Sequence, residues 1–223
     1  MWRPRSLRQF NERRISPGRG KQYVNPWDER YGAPGSYYYG TEPNDFLREQ
    51  VGCLARSGAV LCLAEGEGRN AVFLAEQGFA VMAVDQSAVG LQKAEQLAAA
   101  KGVRISTIQA DLADYRIAPG QWDGIVSIWC HLPAPLRARV HRQVVAGLKP
   151  GGVYVLEAYT PDQLRHGTGG PQTVELLMTL NELRGELQGL VLTHALESER
   201  IVQEGHAHAG LSAAVQVVGR RPR

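Results

Sequence analysis

The sequence lacks most of what would take it outside the ordinary globular class. No stretch approaches the roughly 18 consecutive apolar residues that a membrane-crossing helix needs. No apolar segment follows the first Met either, so neither a membrane span nor a secretory signal is expected. Cysteine is scarce: Cys53, Cys62 and Cys130 are an odd set without paired spacing. That excludes a disulfide framework and a zinc ribbon and suits a reducing cytoplasm. There is no internal repeat and no low-complexity tract. A basic surplus is also missing from the body of the chain, although the formal charge is +3. Residues 1–21 hold seven Lys/Arg and one acid, and the rest holds 18 bases against 21 acids. The body is therefore acidic, which speaks against nucleic acid as a partner. Arg3, Arg5, Arg8, Arg13 and Arg14 read as a flexible, solvated tail over residues 1–22 rather than a nucleic-acid or membrane arm.

What is present is the alternation of an α/β fold. At 223 residues, 43% of them hydrophobic, the chain can bury one core of ordinary size. Residues 23–223 are expected to form a single domain, monomeric or homodimeric. Strand-like runs cover Ala59 to Ala64, a stretch ending at Asp85, Arg104 to Gln109, and Trp122 to Ile128. Helices are expected from about Arg69 to Gln77 and, after a Ser87 cap, to about Ala100. Pro133 and Pro135 open another, with Leu136, Val140, Val144 and Leu148 on one stripe. Pro150-Gly151-Gly152 turns the chain into a strand over Val153 to Ala158, and a leucine-rich helix is expected over about Thr173 to Leu187. Two last strands, about Leu190 to Val202 and Leu211 to Val218, follow without a helix between them and should form an antiparallel edge hairpin. The remaining alternation implies right-handed crossovers and a parallel sheet covered on both faces. Tyr23 to Gly40 is aromatic and rich in Gly and Pro, and reads as an ordered flap more than a helix. With residues up to 57 it is expected to lie over the site.

The strongest local signal is AEGEGRN, Ala64 to Asn70, which follows a strand and opens a helix. Gly66 and Gly68 would let the backbone approach a ligand where a Cβ would collide, and the helix start beyond them offers free N–H groups. Asp85 closes the next strand, where a carboxylate can accept from ribose hydroxyls. Gly66-x-Gly68-x-x-Ala71 also satisfies the loose nicotinamide-dinucleotide pattern, which leaves an oxidoreductase open at this point. Asp111 follows the third strand in the run QADL. A carboxylate there can accept from an adenine amino group with Leu112 against the ring; the alternative is a helix N-cap.

With WDGIVSIWCHLP and LKPGGVYVLE downstream, these pieces in this order resemble the class I methyltransferases that depend on S-adenosylmethionine (SAM). WDERYGAPGSYYYGTEPNDFL, LAEGEGRNAVFLAEQG, AVDQS, WCHLP, LKPGG, TGGP and EGHAHAGLSAAVQ resemble the tellurite-resistance branch of that group. The resemblance implies a Rossmann-like α/β fold: a seven-stranded, mostly parallel sheet, helices on both faces, and the last strand antiparallel. It implies SAM at the carboxyl ends of the first strands. Ala64 to Gly68 and Asn70 would face its methionine part, Asp85 and Gln86 its ribose, and Asp111 and Leu112 its adenine, with Trp129 lining the pocket. The broader class has an acid two residues before its first glycine. Here those positions are Cys62 and Ala64, so Glu65 is the substitute acceptor for the amino group of SAM.

His131, just past the fourth strand, reads as a general base or acceptor-orienting group, or else as a loop-holding hydrogen bond. Trp27, Arg30, Tyr31, Tyr37, Tyr38 and Tyr39 in the flap could exclude water and pack near a sulfonium. Thr168 to Pro171 belongs near the acceptor by resemblance. His194, His206 and His208 lack a supporting cysteine or carboxylate cluster, so no metal is expected and the last two read as a solvated loop. Arg220 and Arg221 read as a solvated end. The expected function is methyl transfer to a small-molecule acceptor: a chalcogen oxyanion, a thiol or a small metabolite. A SAM-binding protein without catalysis is the alternative.

Overall fold

Short apolar runs punctuated by glycine turns become strands where both faces can be buried. The computed structural model describes residues 25–33, 35–205 and 208–223; the expected basic tail and His206 lie outside the described residues. The strands are β1 (Ala59–Leu63), β2 (Ala80–Asp85), β3 (Ser106–Gln109), β4 (Trp122–Ile128), β5 (Leu148–Tyr159), β6 (Val191–Glu204) and β7 (His208–Arg220). They form one sheet in the order β3-β2-β1-β4-β5-β7-β6. The first five are parallel, and β7 runs antiparallel between β5 and β6. The expected hairpin is present, but its second strand enters the sheet and its first becomes the edge. The six-stranded dinucleotide fold has the order 3-2-1-4-5-6, so the inserted antiparallel strand also removes the fold-level basis for the nicotinamide reading.

The helices are α1 (Pro26–Tyr31), α2 (Asp45–Gln50), α3 (Arg69–Glu76), α4 (Ala88–Ala100), α5 (Ala134–Gly147) and α6 (Leu180–Glu186). Alternate residues of each strand point to opposite faces. Leu61, Leu63, Tyr154 and Leu156 pack with Val140 and Val144 of α5 and Leu183 of α6. Val60, Cys62, Val153 and Val155 pack with Phe46 of α2, Leu74 of α3 and Leu91 of α4. The result is a three-layer sandwich whose strand tips are left free.

Four expectations need correction. The flap contains a helix, α1: Asn25 caps it by accepting from Trp27 N, and Pro26 stands at its first position, where the missing N–H costs nothing. The helix expected over 173–187 is shortened to α6, because Thr179 and Glu182 form a capping box that fixes the start at Leu180; Val174–Leu176 is only a 3₁₀ turn. β5 begins at Leu148, not Val153. Trp122 pairs with Leu148 and Gly124 with Val153, so Pro150-Gly151-Gly152 is a bulge inside the strand. Arg220 is exposed, as a solvated end would be, but Arg221 is half-buried; Arg220 donates to the Gly151 carbonyl and Arg221 to the Ala146 and Leu148 carbonyls, which ties this end to the bulge.

Candidate functional site

Two adjacent strands, β1 and β4, each run out into a non-glycine residue in the left-handed region: Ala64 (φ 50°) and Trp129 (φ 56°). Such residues cost about 1–2 kcal/mol each, and they collect where a site over-determines the backbone. Both line a cavity of about 600 Å³ at the carboxyl ends of the strands, the size range of a cofactor pocket. β2 and β3 are sheet neighbours, with Asp85 level with Gln109. Asp85 from the first tip and Asp111 beyond the second therefore face the same space, together with Gln86 and Leu112.

The two carboxylates are held differently. Asp85 is buried; Oδ2 accepts from Gly66 N and Oδ1 from Ser87 N, both at 2.8 Å. Burial raises its pKa, and these two N–H groups oppose the rise. Each oxygen keeps a further lone pair for a ligand hydroxyl. Asp111 is exposed, and its Oδ1 accepts from Ala113 N at 2.7 Å. This is a local turn and not the cap of an α-helix.

Glu65 and Asn70 also line the cavity. Oε1 of Glu65 accepts from Ala71 N at 2.6 Å. Burial pushes its carboxyl up to about 7 against that bond and the Arg69 charge. Gly66 and Gly68 are not among the lining residues. A Cβ on Gly66 (φ 61°) would lie 2.7 Å from the Tyr31 hydroxyl oxygen, and one on Gly68 (φ 90°) would run into Ala94. Here the glycines make room for the flap and for α4, so the expected collision with a ligand is a collision with protein.

The cover is attached over the β2 tip. Asn25 Nδ2 donates to the Gln86 carbonyl at 3.0 Å, and Ser87 Oγ donates to Asp28 at 2.5 Å. Trp27, Arg30, Tyr31 and Tyr38 all reach the cavity, as does Tyr39, whereas Tyr37 turns away to the Lys93 carbonyl. The Arg30 guanidinium lies 4.7 Å from the Trp27 ring centre and 5.3 Å from that of Tyr38.

A buried polar network behind this cover was not anticipated. Asn44 Nδ2 bridges Glu157 (2.6 Å) and Glu204 (2.8 Å). Glu204 also accepts from Arg69 Nη2 and Trp129 Nε1, each at 2.6 Å, and Glu157 accepts from Arg200 through two nitrogens. Burial alone would raise the Glu204 carboxyl; the His208 hydrogen bond, the Arg69 charge and Asn44 hold it down at about 2. The solvated-loop expectation fails for His208, which is buried, lines the cavity and lies 3.5 Å from Glu204. His194 packs against the Phe46 ring. One signal was visible: Glu157 is a lone acid inside the apolar run Val153 to Tyr159, where a charge must find a partner. Among the described residues, no group of three or more His, Cys, Asp or Glu is placed to hold a metal.

At the far end, Nδ1 of His131 lies 3.0 Å from the Leu176 carbonyl. A carbonyl oxygen only accepts, so Nδ1 carries the proton. Nε2 is buried, and no partner for it exists among the described residues. Burial lowers the ring pKa to about 4, so the ring is neutral at pH 7 with an open lone pair. It lies parallel to Tyr159 at 5.6 Å, and Tyr159 stacks on Trp129 at 4.2 Å. Gly169, Gly170 and Pro171 line this end too. Burial pushes the adjacent Cys130 thiol up to about 12, which leaves it inert at pH 7.

Residues 60–152, less than half of the chain, match the family model described as a methyltransferase domain. That segment runs from β1 through the cavity floor to the bulge of β5. It is similar to a methyltransferase domain. No curated protein matches the chain. Among solved structures, the chain is similar to a SAM-dependent methyltransferase from Methanosarcina mazei (TM-score 0.63, 16% identity, 77% of this chain and 96% of that one). It is also similar to TehB from Haemophilus influenzae (0.64, 17%, 87% and 65%) and to the N-methyltransferase NodS from Bradyrhizobium japonicum (0.62, 16%, 90% and 99%). At these identities the likeness shows the fold. The Methanosarcina protein is a methyltransferase that depends on SAM. The donor set of this chain fits SAM: carboxylates at two neighbouring tips, aromatic faces that attract a sulfonium, and a buried nitrogen left open.

Proposed function

We propose that the methyltransferase moves a methyl group to a small-molecule acceptor inside the cavity between the strand tips and the flap. Asp85 and Gln86 hold the ribose, Asp111 and Leu112 the adenine, and Ala64, Glu65 and Asn70 the methionine part. When bound, SAM supplies an activated methyl group for in-line transfer. The protein's contribution is alignment and exclusion of water. Trp27, Tyr31 and Tyr38 close over the ligands, Trp129 forms the wall between donor and acceptor, and His131 faces the acceptor. Arg30, resting on Trp27 and Tyr38, is placed to meet a ligand carboxylate. The observation that carries this reading is that Asp85, Asp111 and His131 line one cavity. The motif resemblance to the tellurite-resistance branch leaves a chalcogen oxyanion, a thiol and a small metabolite as acceptors within this function. A crystal structure with S-adenosylhomocysteine tests the assignment. Adenine beside Asp111 and sulfur turned toward His131 are expected; adenine outside the β2–β3 tips would contradict it.

A further inference from the structure

The acceptor end selects by charge as well as by shape. Nδ1 of His131 is committed to the Leu176 carbonyl, and burial keeps the ring neutral, so Nε2 offers only a lone pair. Such a nitrogen attracts a proton donor and gives nothing to an anion. Arg69 is tied to Glu204, and Arg30 is an exposed flap residue over Trp27 and Tyr38. Three carboxylates, Glu65, Asp85 and Asp111, line the same space. An oxyanion or thiolate would find no hydrogen-bond donor in that His131 nitrogen. An aliphatic amine enters as an ammonium, whose natural partner is a carboxylate rather than a neutral imidazole. The lining includes the apolar or flat Trp129, Cys130, Leu132, Pro171 and Leu176 beside the polar Gln172 and His208.

We infer that the acceptor is an uncharged, planar hydroxyl compound of the phenol class, whose O–H donates to His131 Nε2. The inference rests on the methyl-transfer reading above. The hydroxyl oxygen forms the new O–C bond with its lone pair as the sulfur–methyl bond breaks, and that bond's electrons stay on sulfur. The hydroxyl proton passes to Nε2 and leaves to water when the product departs. A weak base suffices, because the proton becomes strongly acidic as the O–C bond forms.

The test is calorimetric, on the full chain saturated with S-adenosylhomocysteine, with 2-naphthol as probe and 2-methoxynaphthalene, 2-naphthoate, tellurite and an alkylamine as comparators. 2-Naphthol binds, and the methoxy compound binds about tenfold more weakly for want of the hydrogen bond. His131→Leu removes the difference between them and leaves S-adenosylhomocysteine affinity unchanged. With labelled SAM, hydroxyaryl compounds are methylated and tellurite is not. Equal binding of 2-naphthol and its methoxy analogue, or preference for the naphthoate or tellurite, would overturn the inference while leaving the donor site intact. Absence of S-adenosylhomocysteine binding would instead strike the underlying reading, and the inference with it.

Discussion

The floor and the cover of the cavity are built by opposite strategies. The floor comes from strand tips. Asp85, Asp111 and Ala64 take their places from local chain direction, and their partners, such as Ser87 and Ala113, are near in sequence or on a neighbouring turn. The polar network behind the cover is fixed by charge over long sequence distances. Asn44 reaches Glu157 and Glu204, and Arg69 reaches Glu204, across 113, 160 and 135 residues. A site can thus have a floor that motif reading finds and a cover that only the assembled sheet creates. It follows that damage to the cover should cost stability first, and damage to the floor should cost binding first.

The largest expected effect is on the cover. Glu204→Ala strands the buried Arg69 guanidinium and unpairs Trp129 Nε1. Urea unfolding should show a loss of about 3–5 kcal/mol. A loss below about 1 kcal/mol would mean that the network does not hold the flap. Next comes the joint between floor and α4. Gly68→Ala combines a φ of 90° with a clash against Ala94 and should cost about 2–4 kcal/mol. Gly78→Ala, at φ 88° with open space around it, should cost only the strain of about 1–2 kcal/mol. Equal losses would remove the packing role assigned to Gly68.

Acid and base should separate the two regions. Glu204, held near 2 in the fold, gives stability that is full above its ordinary carboxylate range near 4.5 and is lost as pH falls toward 2, on the order of 3 kcal/mol. Glu65, raised to about 7, acts in the reverse sense: the fold favours its neutral form, so that stability is present below 4.5 and is lost as pH rises through 7. Glu65→Gln, whose amide oxygen can still accept from Ala71, should lack this fall, so that its stability relative to the wild type rises from pH 5 to 8 while the opposing contribution of the neutral His131 is common to both. An unchanged slope in the variant would remove this role from Glu65. The smallest stability effect belongs to Asp111→Ala, an exposed turn residue. It should cost less than about 0.5 kcal/mol, yet weaken S-adenosylhomocysteine binding about tenfold by isothermal titration.

This contrast also explains how much the sequence revealed. The Ser87 cap, the β2 tip and the Asp85–Asp111 pair were legible because each follows from a local pattern and a strand period. Trp27, Arg30, Tyr31 and Tyr38 could be assigned to the cover from their density alone. His208 was misread because burial of a hairpin residue depends on which strand of the hairpin enters the sheet, and nothing local fixes that choice. The left-handed Ala64 and Trp129 carry no signal at all, since neither is the glycine or asparagine that such a conformation favours. Gly66 and Gly68 were found for a different reason from the one that requires them, because their neighbours Tyr31 and Ala94 come from elsewhere in the chain.

The most direct test of the shared cavity is calorimetric titration of S-adenosylhomocysteine into the wild type and Asp85→Ala, at a pH and temperature where both are folded by circular dichroism. One site per chain is expected, with affinity falling about 100-fold in the variant, the value of losing a charge-assisted contact on ribose of about 3 kcal/mol. No heat in the wild type, or the same affinity in both proteins, would contradict the placement of the donor at the β2 and β3 tips.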